Sequence, residues 1–169
     1  DAGQGVDMYK LIFHKMMGTP IEQIDSFLRQ QGKGADLSMG YGGGVGAFVN
    51  IANSYQLDLV ELGKSAPKLL PASYMERGAK SWRWAVQFND THDLPEDIYI
   101  ACAALKHSYR DACPNIARLW SDLEECAFAA VRNPGKAFTC ARGKVTMACD
   151  SKLDWLAVPI PTGRQIMFA

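Results

Sequence analysis

The sequence predicts a mainly α-helical fold with a small antiparallel β tail, and three observations support this prediction. Apolar residues recur every three or four positions through most of the chain, which is the period of an amphipathic helix. After the turn at residues 133–135, short β-prone segments replace this pattern. The chain has 169 residues, of which 48% are hydrophobic and 21% are charged, so it is long enough to bury the core of a single folded domain.

The helices are predicted from their apolar spacing and from the residues at their ends. The first ends at the stop signal of residues 18–20, and the second begins at the N-capping residues Asp25 and Ser26. Pro95 and Pro114 lie in the first turn of two later helices, where a missing N–H costs nothing. The predicted helices span residues 6–17, 25–39, 47–55, 72–88, 95–112 and 114–131, with a looser connector at 57–71 and a turn at 89–93.

The tail is predicted to form one or two antiparallel hairpins. Its β-prone segments are residues 137–141, 144–149, 155–158 and 164–168, separated by Gly143 and by the turn at 161–163.

Charge and cysteine usage exclude several function classes. Lysine plus arginine equals aspartate plus glutamate, 18 against 18, whereas a free-standing nucleic-acid-binding domain usually carries surplus positive charge. Any contact with DNA must therefore come from a local patch or from a larger protein.

The five cysteines form no CxxC pair, which argues against a zinc site and a disulfide framework. No signal peptide or membrane-length apolar segment is present, so the sequence predicts a cytosolic protein without membrane contact.

One helical segment carries the chemistry of a candidate site. In RQQGKGADLSMGYG, residues 29–42, side chains four apart lie nearly above one another on a helix. The resulting line is about 18 Å long and reads cation, cation, apolar, aromatic. The four residues of this line are Arg29, Lys33, Leu37 and Tyr41. Their order matches a nucleoside triphosphate, with its phosphates, sugar and flat base. The spacing alone is weak evidence for a nucleotide site, because basic residues four apart also occur on many solvated helices.

The glycine-rich run at residues 40–46 matches neither GxxxxGK[ST] nor GxGxxG, and it follows a helix instead of a strand. It is either a flexible helix end or a loop that lets another chain pass close by. Gly32 and Gly34 each cost the preceding helix about 1 kcal/mol relative to alanine, so a close approach to its backbone, or a bend, is expected there.

The longer pattern R-xxx-K-xxx-L-xxx-YG resembles the finger-helix motif of family A DNA polymerases. RQQGKGADLSMGYGGGVGAF is especially similar to the bacteriophage branch of that family. The resemblance covers residues 5–50 and 108–168, whereas residues 57–95 look like an insertion. Its further matches are Asp7-Met8-Tyr9, the turn at 17–20, the helix at 114–124 and the hairpin Pro161-Thr162-Gly163-Arg164.

The resemblance implies a fingers subdomain with defined roles for its residues. Arg29 and Lys33 would hold the phosphates of the incoming deoxynucleotide, with Lys33 also the candidate general acid for the leaving pyrophosphate. Tyr41 would stack near the template base, and Gly42, Gly43 and Gly44 would let the duplex approach. Tyr9 replaces a phosphate-contacting histidine of the family. Leu37 replaces an aromatic residue against the sugar and base, which implies looser packing of the nucleotide.

The resemblance also implies partners outside this chain. The family's two metal-binding aspartates belong to DxSxxE and HDE segments that this sequence lacks, so Mg2+ would be held elsewhere in the full enzyme. The chain alone should be inactive, and its partners would be deoxynucleoside triphosphate, primer-template DNA and the palm and thumb of a polymerase in a bacterial host cytoplasm. The predicted parts of the single domain are residues 1–56, the insertion 57–95, a helical hairpin at 96–133 and the β hairpins at 134–169.

Two other interpretations stay open at the level of the sequence. The chain could be a non-catalytic helical interaction module, such as a prophage remnant that retains the motif by descent. It could also be an independent nucleotide-binding regulator.

Overall fold

The computed structural model describes residues 5–150, 152, 155–160 and 162–168. It confirms a mainly helical chain followed by a small antiparallel sheet. The helices are α1 (Met8–Met17), α2 (Ser26–Met39), α3 (Val45–Ser54), α4 (Leu59–Leu69), α5 (Ala72–Gln87), α6 (Glu96–Ala112) and α7 (Pro114–Arg132). The strands are β1 (Ala137–Cys140), β2 (Val145–Cys149), β3 (Leu156–Pro159) and β4 (Gln165–Phe168). None of the described helices is long and apolar enough to cross a membrane.

The chain divides into two compact units, the first ending at Pro114 and the second beginning at Asn115. The sequence predicts a single domain, with a helical hairpin at residues 96–133. In the structure, α6 belongs to the first unit, and all of α7 after its first residue belongs to the second.

Helix α6 is the centre of the first unit. It packs against α1, α2, α3, α4 and α5. Every residue from Ala101 to Leu105 is fully buried, which is the pattern of a helix enclosed on all sides. Four of these five side chains are alanine or cysteine, and such small side chains let neighbouring helices approach closely. Burial raises the pKa of the Cys102 thiol to about 12, so this cysteine is a packing residue and not a nucleophile.

The connector predicted at residues 57–71 is wrong, because most of it forms α4. The side chain of Asp58 caps this helix by accepting a hydrogen bond from the backbone N–H of Glu61 (2.9 Å). Gly63 and Pro67 lower the helical propensity of the segment. Burial of Leu62 and Ala66 in a helix that packs on α6 outweighs this local preference. The predicted insertion thus contributes two helices, α4 and α5, to the core of the first unit.

The second unit contains α7 and a β meander. Its strands lie in the order β1-β2-β3-β4, and each pairs with the next in antiparallel register. Cys126 and Ala130 of α7 are buried with Met147 of β2, and these three residues form the core of the unit. The predicted hairpins are therefore confirmed as a single four-stranded sheet. In the turn before β4, Gly163 has a positive φ of 80°, whereas Pro161 lies outside the described residues.

Candidate functional site

Helix α2 carries three of the four predicted site residues, and Tyr41 lies in the turn after it. Arg29, Lys33 and Leu37 are four residues apart within the helix, and all three are half-buried. Gly40, the C-cap, keeps right-handed helical angles (φ −61°, ψ −24°), and Tyr41 lies in the turn that follows it. Tyr41 is 74% exposed. The i, i+4 spacing of Arg29, Lys33 and Leu37 on one helix is therefore present, and none of the four predicted side chains is fully buried.

The opposite side of α2 packs tightly against its neighbours. Ala35 and Met39 are buried there, as predicted, whereas Phe27 and Leu28 are only half-buried. A Cβ atom added at Gly32 would lie 2.4 Å from the backbone carbonyl oxygen of Tyr9 in α1. The close approach expected at this glycine is thereby confirmed, and it brings the N-terminus of α1 beside α2.

Arg29 is held in place by the start of α1. Its Nε donates a hydrogen bond to Oδ2 of Asp7 (2.8 Å), and its guanidinium carbon lies 5.2 Å from the centroid of the Tyr9 ring. The other oxygen of Asp7 caps α1 by accepting from the backbone N–H groups of Tyr9 (3.0 Å) and Lys10 (3.2 Å). The two Nη nitrogens of Arg29 donate no hydrogen bond within the described residues, so they are available to a ligand.

The hydrogen bond from Arg29 holds the pKa of Asp7 below its usual value, and the N–H groups that Asp7 caps act in the same direction. A carboxyl group with a lowered folded-state pKa stabilises the fold above its ordinary pKa of about 3.9, and this contribution is lost as the pH falls through the folded-state pKa. We therefore expect Asp7→Asn to lower the melting temperature near neutral pH, and we expect the difference from the wild type to close below about pH 4.

Thermal unfolding followed by circular dichroism between pH 2.5 and 7 measures this difference. Asp25→Asn is the matched control, because Asp25 caps α2 through the backbone N–H of Leu28 (2.8 Å) but forms no ion pair with the described residues. A difference for Asp7→Asn that stays constant down to pH 2.5 would show that the ion pair does not stabilise the fold.

Lys33 has an aromatic partner that sequence reasoning missed. Its Nζ lies 4.1 Å from the centroid of the Tyr55 ring, and Tyr55 is the C-cap of α3. No described acidic residue forms an ion pair with Lys33. Because 22 residues separate the two positions and a turn interrupts the helices, no local periodicity links them. Only the packing of α3 on α2 brings them together.

Tyr9 lies against Arg29, and its hydroxyl forms no hydrogen bond with the described residues. A second acid, Asp36, is seven residues after Arg29 and therefore lies on nearly the same side of α2. Its carboxylate accepts a hydrogen bond from the hydroxyl of Tyr109 (3.0 Å). The site thus contains two cations and two carboxylates, and each carboxylate already accepts internal hydrogen bonds.

The three glycines after Tyr41 have different surroundings. Gly42 is exposed and has a positive φ of 81°, which a glycine adopts at no steric cost. A Cβ at Gly43 would lie 2.5 Å from the carbonyl oxygen of Ser38, so internal packing alone requires this glycine. Gly44 has open space around it. Gly42 and Gly44 therefore leave room for a partner, whereas Gly43 has a structural reason to be glycine.

Comparison with models of known protein families, with curated proteins and with solved structures finds no match for this chain.

Proposed function

We propose that this chain is the fingers part of a template-directed DNA polymerase of the family A type, and that α2 binds the triphosphate of the incoming deoxynucleotide. The observation that carries the proposal is the pair of cations one helical turn apart on α2, both with unused hydrogen-bond donors, with an exposed tyrosine in the turn after the helix. The resemblance of the motif to that polymerase family gives this arrangement its specific interpretation.

Arg29 is suited to a phosphate because its orientation is already fixed. Asp7 takes only the Nε donor, and the ring of Tyr9 lies beside the guanidinium. The two Nη groups remain as a fork that matches the oxygens of a phosphate. The ion pair also orders the side chain before a ligand arrives, which lowers the entropy cost of binding.

Lys33 supplies a second positive charge about 6 Å further along the helix. The Tyr55 ring positions its ammonium, and a cation–π contact at an exposed site contributes only about 0.5–1 kcal/mol. A phosphate can therefore replace or share this contact at small cost. The ammonium group also has protons to donate, which is what a leaving pyrophosphate needs.

Leu37 and Tyr41 supply the apolar and aromatic contacts of the proposed site. Leu37 is half-buried and offers an aliphatic surface where a sugar would lie, and Tyr41 presents an exposed ring where a base would lie. The described residues contain no cluster of three or more His, Cys, Asp or Glu side chains that could hold a metal ion. As the family resemblance implies, the magnesium ligands of the proposed polymerase would belong to its other parts, which include the palm and thumb.

Titration of the 169-residue chain with magnesium dTTP, followed by isothermal calorimetry, tests the triphosphate site. We expect weak binding, with a dissociation constant of about 1 mM, and about tenfold weaker binding for Arg29→Ala because two charge-assisted hydrogen bonds are lost. Arg118→Ala, which removes an exposed arginine of α7, is the matched control and should bind as the wild type does. Equal affinities for all three proteins would contradict the proposed site.

The coding sequence on either side of the chain tests the family assignment separately. DxSxxE upstream and HDE downstream in the same reading frame would support a polymerase. Stop codons in both places would support the remnant.

A further inference from the structure

The first unit contains a cavity that the proposed nucleotide site does not use. Its volume is about 720 Å³, within the range of ligand sites in proteins. Its walls come from the start of α3, from α5, from the turn before α6 and from α6 itself. None of the four residues predicted for the nucleotide site lines it, and of the glycines expected near DNA only Gly44 does.

The charge of this cavity is predominantly positive. Arg77, Lys80 and Lys106 line it, against the carboxylate of Asp90 in the lining and that of Asp111, which pairs with Arg77. Lys106 is half-buried and forms no ion pair with the described residues. Burial lowers the pKa of its amine, and the nearby charges of Arg110 and Arg77 lower it further. A partly buried ammonium without a counter-ion is costly, and an anion bound in the cavity would relieve that cost.

Arg77 is held at the cavity by a chain of hydrogen bonds that begins and ends on Arg77 itself. Its Nη1 donates to Oδ2 of Asp111, and its Nη2 donates to Nδ1 of His107 (3.3 Å). Burial lowers the pKa of His107 to about 4, so the ring is neutral and Nδ1 can accept. Nε2 of the ring then donates to Oγ of Ser81 (3.0 Å), which donates to the backbone carbonyl of Arg77 (3.1 Å). Nη2 also donates to Oδ1 of Asp111 (3.4 Å), so the guanidinium is pre-ordered and its Nε–H is a donor that no described residue uses.

An aromatic surface adjoins these cations on α5. Arg77, Lys80 and Trp84 occupy positions i, i+3 and i+7, which lie on one face over about 10 Å. The Trp84 indole is 55% exposed, and it packs against the ring of Phe88 with centroids 4.7 Å apart. Phe88 is 57% exposed but does not line the cavity, so the aromatic surface extends beyond the space for a single nucleotide.

We propose that this cavity binds a single-stranded nucleic acid, with a backbone phosphate between Lys106 and Arg77 and a base stacked on Trp84. Cations that follow the backbone and aromatic rings that stack bases are the two elements of sequence-independent single-strand binding. Phe88 continues the aromatic surface outside the cavity, which favours a strand over a free nucleotide. This inference goes beyond the proposed triphosphate site and does not depend on it.

Fluorescence anisotropy of a fluorescein-labelled twelve-residue oligothymidylate, titrated with the 169-residue chain at low salt, tests this inference. We expect Trp84→Ala and Lys106→Met each to weaken binding about tenfold, and we expect the affinity to fall steeply with added salt. Arg83→Ala is the matched control, because Arg83 is an exposed cation of α5 outside the cavity lining; it should change the affinity less than twofold. Lys33→Ala should also leave this affinity unchanged, which separates the cavity from the α2 site.

Three outcomes would overturn the inference. The first is wild-type affinity for both cavity variants, and the second is an equal loss for Arg83→Ala, which would indicate diffuse charge attraction. The third is competition by thymidine monophosphate at the same concentration of nucleotide residues, which would assign the cavity to a free nucleotide. If Lys106→Met fails to fold by circular dichroism, Lys80→Ala provides the second cation variant, since Lys80 is exposed.

Discussion

In the polymerase that we propose to carry this chain as its fingers, replacing Lys33 by alanine is expected to lower the rate of primer extension about 10²–10³-fold. The substitution removes the ammonium group that would face the charge developing on the leaving pyrophosphate. It removes little that holds the fold together, because the contact of Lys33 with Tyr55 is a cation–π contact of a half-buried side chain. Single-turnover extension of a primer by one deoxynucleotide measures this rate.

Two control variants separate the chemistry of Lys33 from its position. Lys15→Ala removes an exposed lysine of α1 and should leave the rate unchanged. Tyr55→Leu keeps the ammonium and removes only the ring that positions it, so its loss should be much smaller, about threefold. A loss for Lys33→Ala no greater than for Lys15→Ala would remove the case that Lys33 acts on the triphosphate.

The spacing of the site residues on α2 could be predicted because these residues belong to a single helix. Spacing within a helix fixes direction, so Arg29, Lys33 and Leu37 could be placed on one side of α2 from the sequence. The residues that orient them could not be placed in the same way. The pairing of Asp7 with Arg29 spans 22 residues and two helices, and it depends on how closely α1 approaches α2.

Most helices and all four strands were predictable from periodicity and from their end signals. Helix α4 was missed because Gly63 and Pro67 are poor helix formers, and the tertiary burial of Leu62 is not visible in local sequence. The cavity beside α5 was missed for a related reason. Its lining comes from four separate chain segments, and Arg77 and Lys106 give no joint signal until α5 packs on α6.

The closest helix contact in the site leads to the largest effect on stability that we expect. A methyl group at Gly32 would lie 2.4 Å from the carbonyl oxygen of Tyr9 and 3.1 Å from Cβ of Phe13, and backbone atoms cannot rotate away. Helices α1 and α2 would have to separate. We expect Gly32→Ala to lower the free energy of unfolding by about 2 kcal/mol, although alanine favours the helix itself by about 1 kcal/mol.

Gly34→Ala, two residues further along α2, is the control that isolates this effect. The added methyl group would meet Cδ1 of Leu57 at 2.9 Å, and the end of this flexible side chain can move. Its helix-propensity gain should therefore offset the crowding, so we expect a change within about 0.5 kcal/mol. Urea unfolding of the three proteins measures the difference. Equal stabilities for the two variants would mean that α1 does not press on α2 at Gly32, and the ordering of Arg29 by Asp7 would then lose its structural basis.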